Sequence, residues 1–162
     1  MAELTLPRQL RATGQRAIAE ARARRAGSVE AEHVLLAILA RPAEPAAELL
    51  ANVGLDYATL TTALDAERAR SLGAAGISPP TTASLATTPR IASPGWGASV
   101  RDALGNADKP AAKNGRPGAL EIELVDAILG AELGTVPRAL GLVGLDRGTL
   151  RVALHSQQVL RS

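Results

Sequence analysis

Val29–Ala40 reads V-E-A-E-H-V-L-L-A-I-L-A, Glu48–Asp56 reads E-L-L-A-N-V-G-L-D, and Tyr57–Leu64 reads Y-A-T-L-T-T-A-L. Val34, Leu35, Ile38 and Leu39 recur at helical spacing, and Leu36 and Ala37 widen their stripe. A helix this apolar belongs inside a bundle rather than on its rim. Gly54 reads as a stop and Asp56 as the cap of the helix that follows. The whole stretch has an echo: slid by 90 positions it lands on Ala119–Leu154 without a gap. Ala37-Ile38-Leu39 falls on Ala127-Ile128-Leu129, and Leu50 on Leu140. Val53-Gly54-Leu55-Asp56 falls on Val143-Gly144-Leu145-Asp146, the most specific part of the match in so alanine-rich a chain. An internal repeat sets the architecture before any local pattern does.

Working outward, Pro7 is placed to open a helix over Arg8–Arg25, with Leu10, Ala17, Ile18 and Ala21 near one face. Gly27 reads as its stop and Ser28 as the N-cap of a second helix, Val29–Ala40. Glu44 and Pro45 open a third, reaching Asn52, and a fourth covers Tyr57–Arg70. Residues 71–95 are rich in Pro, Gly and Thr and read as a linker. Past it, Val100, Ala103, Leu104 and Ala107 predict a helix that Gly105 weakens and Pro110 ends or kinks. Ala111–Gly118 reads as turn-rich, followed by helices near Ala119–Leu129, Val136–Leu142 and Arg147–Leu160. The expectation is all-α: two pseudo-symmetric units of four helices, about eight in all, at 1–70 and 96–162, the second degraded.

Composition narrows the function. With no Phe, one Trp and one Tyr in 162 residues, the core must be aliphatic. No cysteine is present, so disulfides and thiolate metal sites are excluded. M-A-E-L-T-L-P-R has no basic-then-apolar signal pattern, and no run approaches the roughly 18 apolar residues of a membrane span. The expectation is a soluble cytoplasmic protein with no membrane partner. A formal charge of +2 is small, and Tyr57 and Trp96 make no stacking platform, which argues against nucleic acid. An arginine-rich, nucleic-acid-binding or regulatory first helix is the alternative.

A-E-H-V-L-L-A-I-L followed by L-L-A-N-V-G-L-D resembles the Clp repeat, whose motif is close to T-E-H-L-L-L-A-L-L and then L-x-x-x-G-V-D. That unit occurs twice in the N-terminal domains of Clp-type unfoldase ATPases, and the ClpC type is the nearest in pattern. The resemblance runs from about Leu6 to Leu154 and implies a non-catalytic module. Such a module recognises protein or peptide ligands, adaptors or arginine-phosphorylated proteins, alone or with Clp ATPase and protease components. No G-x-x-x-x-G-K-[ST] phosphate loop is present, so the reading is an N-domain without ATPase modules. Regulation of Clp-dependent proteolysis, or sequestration of Clp-targeting cyclic peptide antibiotics, would suit such a unit.

The resemblance also implies a site. Glu32 matches the glutamate that holds the guanidinium of phosphoarginine, a pairing that suits a bidentate carboxylate. Pro7 stands where the family places a threonine, leaving Thr5 as the nearest hydroxyl, with Arg8 and Arg11 on the first helix. Ile122 occupies the matching place in the second unit, so at most one such pocket is expected. His33 reads as a structural histidine, His155 as exposed, Asp56 and Asp146 as caps, and Trp96 as an anchor for the linker. Two histidines without cysteine or an acidic pair at ligand spacing predict no metal site, and no motif calls for a cofactor or a catalytic residue.

Overall fold

The computed structural model describes residues 4–77 and 93–160, the last four of these as backbone only. Most of the linker, including Pro79, Pro80 and Pro89, lies outside the described residues. A 3-10 turn at Arg8–Leu10 leads into α1 (Arg11–Ala23), followed by α2 (Ala31–Leu39), α3 (Pro45–Ala51) and α4 (Tyr57–Ala74). After the linker come α5 (Ala98–Asn114), α6 (Ala119–Gly130), α7 (Thr135–Leu142) and α8 (Arg147–Leu160). The fold is all-α, two sets of four helices, as the repeat predicts.

The two sets repeat their local chemistry as well as their order. Asp56 Oδ1 accepts the Thr59 N–H at 2.7 Å, and Asp146 Oδ2 accepts the Thr149 N–H at 2.9 Å. The Leu55 N–H reaches the Leu50 carbonyl at 2.9 Å, and the Leu145 N–H reaches that of Leu140 at 3.0 Å. Between them Gly54 and Gly144 adopt φ of 96° and 73°, a left-handed turn that glycine enters without a Cβ penalty. Helix α4 packs on α7 and α3 on α8, the exchange of partners that a pseudo-twofold produces. Leu35, Leu36, Ile38, Leu50, Leu129 and Leu140 all belong to one continuous core. Helix α2 runs through its centre, and Glu32 is the one residue of its nine that is not buried.

Four local expectations need correction. Helix α2 starts at Ala31, not Val29, and Ser28 is not its cap. Instead Ser28–Val29 (β1) pairs in parallel with Gly95–Trp96 (β2), so each contributes two extended residues. The left-handed residue after α1 is Arg25 (φ 54°) rather than Gly27, and the Ala26 N–H closes back onto the Ala21 carbonyl at 2.9 Å. Helix α4 continues four residues past Arg70 to Ala74. Helix α5 runs through Gly105 and Pro110 and stops at Gly115 (φ 60°), so the first half of the turn-rich stretch is helical. Asp108, Lys109 and Pro110 are exposed, so water can take the carbonyl that Pro110 leaves without a donor.

The two halves cap each other. The Ser99 hydroxyl donates to the Glu30 carboxylate and accepts the Ala31 N–H at 2.8 Å, closing the N-terminus of α2. The Glu30 carboxylate accepts the Ser99 N–H at 3.3 Å at the start of α5 and the Ser28 hydroxyl at 2.8 Å. His33 Nδ1 accepts the Glu30 N–H at 2.9 Å, half of a capping box with histidine in the third position. Gly97 faces this knot: a Cβ there would lie 1.9 Å from Glu30 Oε1. Gly97→Ala is therefore expected to push the carboxylate off Ser99 and cost about 1–3 kcal/mol. Urea unfolding measures it; an unchanged midpoint would show that the knot rearranges without loss.

A second tie across the halves is Glu67 on α4, which is 6% exposed. It accepts Arg138 Nε at 2.9 Å and the Ser71 hydroxyl at 2.7 Å. Burial opposes its ionisation, but Ser71 and Arg138 outweigh burial and hold the carboxyl below its ordinary range. Trp96 packs half-buried against the core beside Leu6 and Gly14, where a Cβ on Gly14 would lie 3.3 Å from the indole. It anchors the linker's end.

Candidate functional site

Where the starts of α2, α5 and α7 and the end of α6 converge, the seam opens into a cleft of about 530 Å³. Five carboxylates line it (Glu30, Glu32, Asp102, Glu123 and Asp126) against one guanidinium, Arg151. Each is placed by a helix end or an inward face: Glu30 and Glu32 start α2, Asp102 lies in the first turns of α5, and Glu123 and Asp126 stand three apart on α6.

Arg151 on α8 grips Asp126 with both prongs, Nε to Oδ1 at 2.9 Å and Nη2 to Oδ2 at 3.1 Å. His155 Nε2, one turn further along α8, lies 3.3 Å from the same Oδ1. Burial works against the Asp126 charge, but Arg151 and then His155 more than offset it and keep the carboxyl low. Ligand atoms of Glu123, Asp126 and His155 lie within 4.8 Å of one another, a grouping their sequence spacing did not show. A cation bound by all three would share the Asp126 carboxylate with the Arg151 guanidinium, two positive charges on one acceptor.

Glu32 is half-buried and forms no salt bridge among the described residues. Burial foremost, then Glu30 and Glu67, raise its pKa against the lowering by its own backbone N–H and by Arg24. It also lines a second groove of about 250 Å³ with Arg24, Arg25 and Arg68. Arg24 donates to Asp65 Oδ1 at 2.7 Å, and Arg68 reaches the Arg24 carbonyl at 3.4 Å. Thr5, Arg8 and Arg11 are exposed around the first turn, and none lines either surface that Glu32 lines. The fold thus gathers Glu32 with the arginines at the end of α1 and on α4.

At the corresponding place in the second half, Ile122 packs partly against the core and Glu121 takes the polar role. Its Oε2 accepts the Thr13 hydroxyl at 3.4 Å, while Oε1 is buried without a partner. Burial leads in raising its pKa. Glu121 lines a separate cleft of about 830 Å³ together with Pro7 and Arg41.

Fold and cleft define an all-α, two-repeat domain whose seam opens into a charged groove. The model of the Clp repeat (R) N-terminal domain matches residues 7–92, just over half of the chain, and the chain belongs to that family. The match covers the first four helices and ends in the linker; the second set is tied to it by fold and by the 90-position echo. The family is one of non-catalytic N-terminal domains. No curated protein matches the chain. Among the described residues no helix is long and apolar enough to cross a membrane.

Proposed function

We propose that this domain docks protein or peptide segments in Clp-dependent proteolysis, as a substrate- or adaptor-recognition unit or as a regulator, and that Glu32 anchors them. The observation that carries this is the exposure of Glu32 alone on a helix otherwise inside the core. A carboxylate without an ion partner, beside a groove lined by Arg24, Arg25 and Arg68, suits a ligand with a cationic and an anionic end. Phosphoarginine has that form: its guanidino group meets Glu32 and its phosphate the arginine side. Thr5, Arg8 and Arg11 lie at the other end of the first helix, outside this groove, and take no part in the anchoring.

The test is a pulldown from native lysate, with Glu32→Ala as control, alongside titration of a phosphoarginine peptide. Capture of a Clp component, an adaptor or arginine-phosphorylated protein is expected, with at least a tenfold loss of peptide affinity in the variant. Equal binding by both forms, or no capture, would remove the reading.

A further inference from the structure

The seam cleft carries more negative charge than docking at Glu32 uses. Two of its five carboxylates are committed, Glu30 to Ser28 and Ser99 and Asp126 to Arg151. Glu123 is not. It is 9% exposed, lines the cleft, and makes no hydrogen bond or ion pair among the described residues. Glu121 Oε1 is the one side-chain oxygen fully buried without a partner among the described residues, so water still reaches the Glu123 carboxylate, which is open to a cation that enters from outside. Arg151 spends its Nε and Nη2 on Asp126 and makes no hydrogen bond to Glu123 among the described residues. The mouth of the cleft holds Leu133, 89% exposed, and Pro137, an apolar step beside the charge.

We propose that the cleft receives an unmodified arginine or lysine side chain of an extended peptide, with Glu123 as its partner and Leu133 against a neighbouring apolar residue. This rests on the reading that the domain binds protein segments, and adds to it a second subsite of opposite preference. A volume of about 530 Å³ leaves room for the aliphatic stem as well as the charged head. A guanidinium meets a carboxylate through two parallel N–H donors and leaves the Arg151–Asp126 pair intact. A divalent ion that used Asp126 would set its charge against the Arg151 guanidinium on the same carboxylate. A phosphorylated guanidino group would bring negative charge among carboxylates and is rejected here.

The experiment is calorimetric titration of the full chain with acetyl-Leu-Arg-Leu-amide and its citrulline analogue, which keeps the shape and loses the charge. The arginine peptide is expected to bind at least tenfold more tightly than the citrulline one, and more weakly as salt rises. Glu123→Gln should abolish that difference, while Glu48→Gln, an exposed carboxylate on α3 outside the cleft, changes arginine-peptide affinity less than threefold. Equal binding of the two peptides, no binding at millimolar concentration, or indifference to Glu123→Gln would overturn the assignment. So would zinc binding lost in Glu123→Gln without any arginine preference. If the variant fails to fold, the arginine–citrulline comparison on the unaltered chain decides. Binding of a phosphoarginine peptide lost in Glu32→Ala but not in Glu123→Gln, with no arginine preference, sinks this subsite and leaves the Glu32 reading standing.

Discussion

Leu50→Ala and Leu140→Ala are each expected to cost about 2–5 kcal/mol and to lower a single unfolding transition. Both side chains are 0% exposed and occupy matched places before the two turns. Truncation removes the transfer free energy of the buried methyls and leaves a cavity that close-packed helices only partly fill. Their carbonyls also hold the turns, so a shift at either leucine disturbs the glycine that reverses the chain. Each loss is a large share of the roughly 5–15 kcal/mol that holds a domain folded, and the double variant should be largely unfolded. Because the core is continuous across the halves, damage in one should unfold both. Urea titration read by helical circular dichroism and by the fluorescence of Trp96, the one tryptophan, tests this. Two separated transitions would show that the halves fold independently.

Acid is expected to destabilise the domain between about pH 6.5 and pH 4 through His33, by about 3 kcal/mol. The imidazole is 3% exposed, and its Nδ1 already accepts the Glu30 N–H, so a proton there breaks the cap. Burial first, then Arg24, lowers its pKa from 6.5 to about 4, against the pull of Glu30. The unfolded chain takes up this proton at higher pH than the folded one. The contribution is therefore fully present above pH 6.5 and is lost as pH falls toward 4. Glu32 and Glu121, whose pKa values burial raises, work the opposite way as they protonate and offset part of the loss. His33→Asn keeps an acceptor near the Nδ1 position and cannot titrate. Its stability should change less than wild type across that window; parallel curves would show that His33 does not report the acid limb.

Helices, turns and caps were legible in the sequence because their causes lie within one turn of chain. The spacing of Val34, Leu35, Ile38 and Leu39, the Gly54 and Gly144 stops, and Asp56 and Asp146 three residues from their acceptor N–H groups are all short-range facts. Register at the same range was harder. Ser28 reads as the cap, but Glu30 takes that place, and Ser28 pairs in parallel with Gly95 instead. Pro110 fails to stop α5 because it falls on an exposed turn.

The linear order alone therefore determined an aliphatic, duplicated four-helix unit, and its resemblance to the Clp repeat singled out Glu32. Only the tertiary structure decided what Glu32 faces. It joined Glu30 to Ser99 across 69 positions and Glu67 to Arg138 across 71, and it set Glu123 beside Asp126, Arg151 and His155. Such contacts depend on how whole helices are placed against one another. Periodicity tells which face of a helix turns inward, but not which residue of another helix will meet it there.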